Sequence, residues 1–221
     1  GHCRGFASLI CDLLIENGIP DVHVFFAREK VAEGTVPSKK PDRQKGTELP
    51  GYFRATKDWD LVVVAAGHLV ASVEFKSQIG PSFGNNFNNR TEEAIGDCAN
   101  IHLMYPGLVY GFVHFLRATD ATGRTLKPND ILLNEDRDVL SSVKDYARIL
   151  EGLTGRTLVR NEYSKYEAIA LALLRVGAVE GQSPLHEEFP GATSPLSLDA
   201  FFAALYRVYD VRFTYTYTDP G

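Results

Sequence analysis

The most telling pattern of apolar and polar positions lies in residues 59–89, WDLVVVAAGHLVASVEFKSQIGPSFGNNFNN. Two β-branched runs, 61–65 and 69–73, flank Ala66-Gly67-His68, and Gly67 gives the backbone freedom that a tight hairpin needs. With the loop centred on Gly67, Asp60 falls directly opposite Glu74, where the Cβ atoms of an antiparallel pair stand ~5 Å apart. Strand alternation puts Lys76 on the face of Glu74, with Val62, Val64, Val70 and Ser72 between the two acids, and turns Val73 and Phe75 the other way into a core.

The rest of the chain supplies supporting elements. Phe6, Leu9, Ile10, Leu13 and Leu14 recur at helical spacing, so 5–17 reads as an amphipathic helix stopped by Asn17-Gly18-Ile19-Pro20. Residues 22–28 are β-prone, and 52–55 read as a strand that completes a three-strand meander with the hairpin. A helix over 91–104 and a strand over 108–117 follow, then a turn at Pro128-Asn129-Asp130. Helical periodicity is read at 138–153, at 163–176 and at 198–208, with a loop over 181–195 and a short strand over 211–218. The expected architecture is α/β in the α+β sense: a mixed sheet flanked by helices, with a helical C-terminal half. Residues 1–120 form the core, and 121–221 form a mainly helical part packed on it in the same domain or as a subdomain.

Composition narrows the function classes. A chain of 221 residues with 44% hydrophobic content fits one soluble globular domain, with or without a small helical appendage. No apolar run reaches the length of a membrane span and no signal peptide precedes the first helix, while the start at Gly1 without Met leaves room for a preceding segment. Cys3, Cys11 and Cys98 form no CxxC pair, which argues for an intracellular, reducing setting and against zinc. A net charge of −5 argues against binding nucleic acid by bulk electrostatics, but not through a locally basic cleft.

Chemistry concentrates on the hairpin. Two carboxylates facing each other repel unless a cation lies between them, and Asp60, Glu74 and Lys76 on an otherwise apolar face form the pattern of a metal site; a solvated charged face is the alternative. Residues 28–48 are the most polar stretch, with Lys39, Lys40 and Arg43 among the cations. They read equally as a mobile surface loop and as an arm that touches phosphates. Lys57, a further candidate for contact with DNA, and Asp58 lie at the start of the hairpin. In the following loop, Asn85, Asn86, Asn88 and Arg90 carry donor and acceptor groups suited to base edges and phosphates, and Asn89 reads as a helix N-cap with Glu92 completing a capping box. His114 reads as structural.

The spacing of Asp60, thirteen residues, then Glu74-Phe75-Lys76 resembles the PD-(D/E)xK nuclease signature, with Trp59 in place of the usual Pro. LPGYFRATKDWDLVVV and VEFKSQIGPSFGNNFNNRTEEAIG, within residues 49–96, resemble the core of the XhoI-like type II restriction endonucleases. The departures are Ala55, where Pro is expected, and the helix from Cys98 onward. The resemblance implies Mg²⁺-dependent hydrolysis of double-stranded DNA at a short palindrome, CTCGAG. Asp60, Glu74 and the carbonyl of Phe75 would hold one or two ions and Lys76 would act on the attacking water. Gln78, and Glu16 from the first helix, are candidates to support that site, although Glu16 also fits a solvated stripe. The resemblance further implies a cytoplasmic homodimer in a prokaryotic-type setting, paired with a DNA methyltransferase. Two other functions fit the same residues: a repair or junction nuclease, and a catalytically silent DNA-binding relative.

Overall fold

A computed structural model describes residue 16 and residues 24–26, 47–53, 57–65, 68–78, 83–118, 139–175, 183 and 185–213. The hairpin is present. Strands β4 (Leu61–Ala65) and β5 (His68–Gln78) pair antiparallel around a two-residue connection, Ala66-Gly67. The ladder near the turn pairs Ala65 with His68 and Val64 with Leu69, then shifts at a bulge so that Val63 meets Ala71 and Leu61 meets Val73. The shift restores the register expected for a loop centred on Gly67, bringing Asp60 and Glu74 to the same end of the hairpin. It also corrects one residue. Val70 packs in the cluster with Val63, Ala71 and Val73 and not on the acid-bearing face, because the extra residue of a bulge breaks strict alternation.

Among the described residues five strands form a mixed sheet in the order β1-β4-β5-β6-β7, where β1 is Val24–Phe26, β6 is Val109–Ala118 and β7 is Ala168–Arg175. The β1, β4 and β5 pairs are antiparallel, while β5, β6 and β7 run parallel. The short strand β1 meets the expectation for 22–28. The strand expected at 52–55 is absent at Tyr52 and Phe53, which form a bend; 54–56 lie outside the described residues. The backbone N–H groups of Tyr52 and Phe53 are instead taken by the Asn100 carbonyl, at 3.3 Å, and by its Oδ1, at 2.6 Å. The strand before the hairpin is β3 (Lys57–Trp59), paired with β2 (Thr47–Leu49) in a separate two-stranded sheet, so no three-strand meander forms there.

Helices cover both faces. On one face lie α1 (Phe83–Met104) and α2 (Ser141–Leu153), whose Ala94, Cys98, Ile101, Val143, Tyr146 and Leu150 pack on Val62, Phe112, Leu116 and Leu171. On the other lies α3 (Leu198–Phe213), whose Phe201, Leu205 and Val208 pack on Val73, Phe75, Val113 and Ala170. Gly111 of β6 admits this contact, since a Cβ there would stand 2.9 Å from the Phe201 ring.

Three helical boundaries differ from expectation. The segment 163–176 is not a helix but holds β7, buried on both faces, and its run AIALALLR reads as a central parallel strand. The C-terminal half therefore supplies sheet as well as helix. Helix α1 begins at Phe83, so Asn88 and Asn89 lie inside it and Asn89 is no N-cap. Phe87 explains the extension: it packs on the core with its ring 5.4 Å from Tyr146, and the Thr91 hydroxyl donates to its carbonyl at 3.1 Å. Tertiary packing thus overrides the poor helix propensity of Gly and Asn. Helix α3 continues through Val211–Phe213, where a strand was expected, and 214–221 lie outside the described residues. The turn at 128–130 and most of the 5–17 helix are also outside them.

Candidate active site

The polar cluster sits where β3, β4 and β5 meet α1. Asp60 occupies the bend between β3 and β4, half-buried, and its Oδ2 accepts the backbone N–H of Phe75 at 2.9 Å. That bond ties the two motif strands together at the residue between Glu74 and Lys76. Glu74 is 5% exposed on a strand flanked by apolar ladders. Its Oε1 pairs with Lys76 Nζ at 2.9 Å and its Oε2 faces Lys57 Nζ at 3.6 Å. Burial pushes the Glu74 carboxyl above its usual value; Lys57 opposes that shift, Asp60 adds to it, and Lys76 opposes it. Lys76 is half-buried; burial disfavours its charge, but Glu74, with Glu93 and Asp97 behind it, outweighs burial and holds the ammonium above the ordinary lysine value.

Helix α1 supplies the residues that reasoning from sequence missed. Glu93 Oε1 reaches Lys76 at 3.4 Å, while its Oε2 accepts from Arg90 at 2.5 Å. The Glu93 carboxyl lies below its usual value: burial would raise it, but Lys76 and Arg90 outweigh burial. One turn on, Asp97 Oδ2 takes Lys57 Nζ at 3.0 Å. The available signal was the spacing of Glu93 and Asp97, four apart and hence on one helical face.

Lys57 is not placed as a DNA contact. It is 8% exposed, its ammonium donating to the Tyr110 hydroxyl at 3.2 Å and lying between Glu74 and Asp97. Arg90 is half-exposed but ion-paired to Glu93. Asn88 is exposed on α1; Asn85 and Asn86 fall on its first turn, and Lys39, Lys40 and Arg43 lie outside the described residues. Glu16 is helical and exposed, as a solvated stripe requires. Gln78 is 8% exposed on the face of Glu74 and Lys76, and neither atom of its amide has a partner among the described residues. His114 of β6, opposite Lys76 in the ladder, is fully buried with Nδ1 2.6 Å from the Tyr146 hydroxyl. Burial, helped by Arg90 and Lys76, lowers its pKa to about 3, so it stays neutral as a structural histidine would.

Among the described residues no group of three or more His, Cys, Asp or Glu is disposed to hold a metal ion. The donors present nevertheless fit a hard divalent cation. Mg²⁺ is commonly held by one or two carboxylates, with water and substrate phosphate completing its shell. Asp60 and Glu74 are two such carboxylates at one hairpin end, and four residues along β5 the Gln78 amide is an unsatisfied buried polar group.

Residues 29–112 match the family described as restriction endonuclease XhoI. This segment of the chain is similar to the XhoI restriction endonucleases. It runs past Cys98, where similarity was expected to fade, and takes in the whole of α1 with Glu93 and Asp97. The chain is 43% identical over 107 residues to "Type II restriction enzyme AbrI" of Azospirillum brasilense, a stretch covering 48% of this chain and 41% of that protein. It is 42% identical over 106 residues to BstVI of Geobacillus stearothermophilus, covering 46% of this chain and 40% of the relative. Against XhoI of Xanthomonas vasicola it is 46% identical over 92 residues, covering 42% and 31%. The chain thus spans well under half the length of these curated relatives. No solved structure matches.

Proposed function

We propose that this chain carries the catalytic centre of a type II site-specific deoxyribonuclease, hydrolysing phosphodiester bonds of double-stranded DNA at a short palindrome. The observation that carries the reading is the convergence of Asp60, Glu74 and Lys76 at one end of the hairpin inside the XhoI-like segment. Lys76, kept charged by Glu74, acts as a fixed point charge that orients the attacking water and stabilises charge growing on the phosphate. A lysine held above its ordinary value is a poor base, so orientation and charge are its roles here. Asp60, aimed by the Phe75 N–H, and Glu74 would hold Mg²⁺, as one or two ions with the carbonyl of Phe75 as a further ligand. Bound there, the ion would polarise the phosphate and acidify a water.

In the same reading the chain acts as a homodimer, since a palindrome matches a two-fold axis. It works in the cytoplasm beside a DNA methyltransferase that protects the host; no described helix is long and apolar enough to cross a membrane. CTCGAG is the first palindrome to test. Asn85, Asn86, Asn88, Lys39, Lys40 and Arg43 are the proposed contacts to bases and phosphates, and Arg90 joins them once it leaves Glu93. The test is incubation of the protein with plasmid and bacteriophage DNA in Mg²⁺, beside Asp60→Ala, followed by sequencing of the ends. Discrete fragments sharing a palindrome and absent in the variant support the reading. Structure-dependent nicking would move the activity to repair, and tight binding without cleavage would leave a silent relative.

A further inference from the structure

The ammonium of Lys57 sits between two buried carboxylates. It lies 3.0 Å from Asp97 Oδ2 and 3.6 Å from Glu74 Oε2, inside a site where Lys57, Glu74 and Asp97 are 8, 5 and 6% exposed. A third anchor, the fully buried Tyr110 hydroxyl, receives its hydrogen bond at 3.2 Å. Lys57 therefore bridges two carboxylates from different elements, β5 and α1, as a second divalent ion would. The difference is that this charge is part of the chain and stays in place between turnovers. Asp60 is half-buried, more open than Glu74 or Asp97, and its Oδ2 accepts the Phe75 N–H. A cation held by Asp60 and Glu74 would thus be accessible to a phosphate. A cation shared by Glu74 and Asp97 would collide with an ammonium that is sterically fixed, of like charge, and shielded from water.

We propose that Lys57 is a built-in counter-charge replacing a second metal, so that the centre takes one divalent cation per chain, at Asp60 and Glu74. This rests on the metal-dependent reading above and sharpens it. The test counts bound Mn²⁺ by electron paramagnetic resonance on the full chain, without DNA. Wild type is expected to bind one ion, and Asp60→Ala none. Asp97→Asn, which keeps Lys57, is expected to retain the single ion with affinity changed less than ~3-fold, because Asp97 holds lysine and not metal. Lys57→Met is expected to gain a second ion between Glu74 and Asp97, and Lys57→Arg to stay at one. Two ions in wild type would overturn the proposal while upholding the metal-dependent reading, as would loss of one ion in Asp97→Asn. Folded Lys57→Met binding a single ion would also overturn it; if that variant does not fold, the wild-type and Asp97→Asn counts decide. No Mn²⁺ bound by wild type would sink both.

Discussion

Glu74 draws its character from being buried between two lysines, one on its own strand and one on β3. Lys76 is the more exposed of the two, and under the proposed function its charge allows two roles to be told apart. If it acts as a charge, Lys76→Arg keeps a measurable part of the cleavage rate while Lys76→Met loses at least ~10²-fold, measured in single-turnover assays; if it acts as a base, both fall equally. His114 gives a stability prediction of the same kind. Tyr146→Phe strips the partner from its Nδ1 and should lower stability by about 1–3 kcal/mol in urea unfolding. At this scale Asp60, Glu74 and Lys76 were legible, because strand alternation and a short turn fix which side chains share a face. Lys57 was not. Read from sequence it is one more cation before a hairpin, and only the approach of Asp97 and Tyr110 from distant parts of the chain makes it a buried bridge.

Helix α1 brings Glu93 and Asp97 against the hairpin, so its placement decides the second half of the site. Its first eight residues carry Gly and four Asn, a composition that reads as loop. What settles them as helix is Phe87 packing on Tyr146, a contact between segments with no local signature. Asn89→Ala separates the two descriptions. An N-cap would lose ~1 kcal/mol, whereas an exposed interior Asn replaced by Ala should gain about 0.5 kcal/mol in thermal or urea unfolding. Strand β7 was missed for a related reason. Ala and Leu are strong helix formers, and a short wholly apolar run has no periodicity to separate a buried strand from a buried helix. Strands β4, β5 and β6 were legible because β-branched and aromatic residues crowd into them.

Across the whole molecule, Glu167 fastens the ends of the parallel strands, helices α1 and α3, and the loop after α2 to one another. Fully buried, it accepts from Arg156 at 2.5 Å, Arg212 at 2.7 Å, His102 at 3.1 Å and the Tyr110 N–H at 2.8 Å. These partners lie up to 65 residues away, so nothing in the local pattern announces the network. Glu167→Gln leaves the Arg156 guanidinium buried without its counter-charge and should lower stability by about 3–5 kcal/mol in denaturant unfolding. Burial would raise the Glu167 carboxyl, but His102, Arg212 and the Tyr110 N–H lower it below its ordinary 4.5. A carboxyl depressed in the folded state stabilises above its unfolded value and loses that contribution as pH falls through the folded one. His114, lowered from 6.5 to about 3, adds a loss of the same sign across that interval. The acid limb of stability below pH 6.5 should therefore be less steep in His114→Phe, read from urea midpoints against pH. Glu74, raised by burial, contributes in the opposite sense. The most direct test of the central claim is the single-turnover cleavage rate of Glu74→Gln beside wild type in Mg²⁺, with DNA binding measured in parallel. The account predicts binding within ~3-fold of wild type and cleavage slowed at least ~10²-fold; a variant that cuts at the wild-type rate would contradict it.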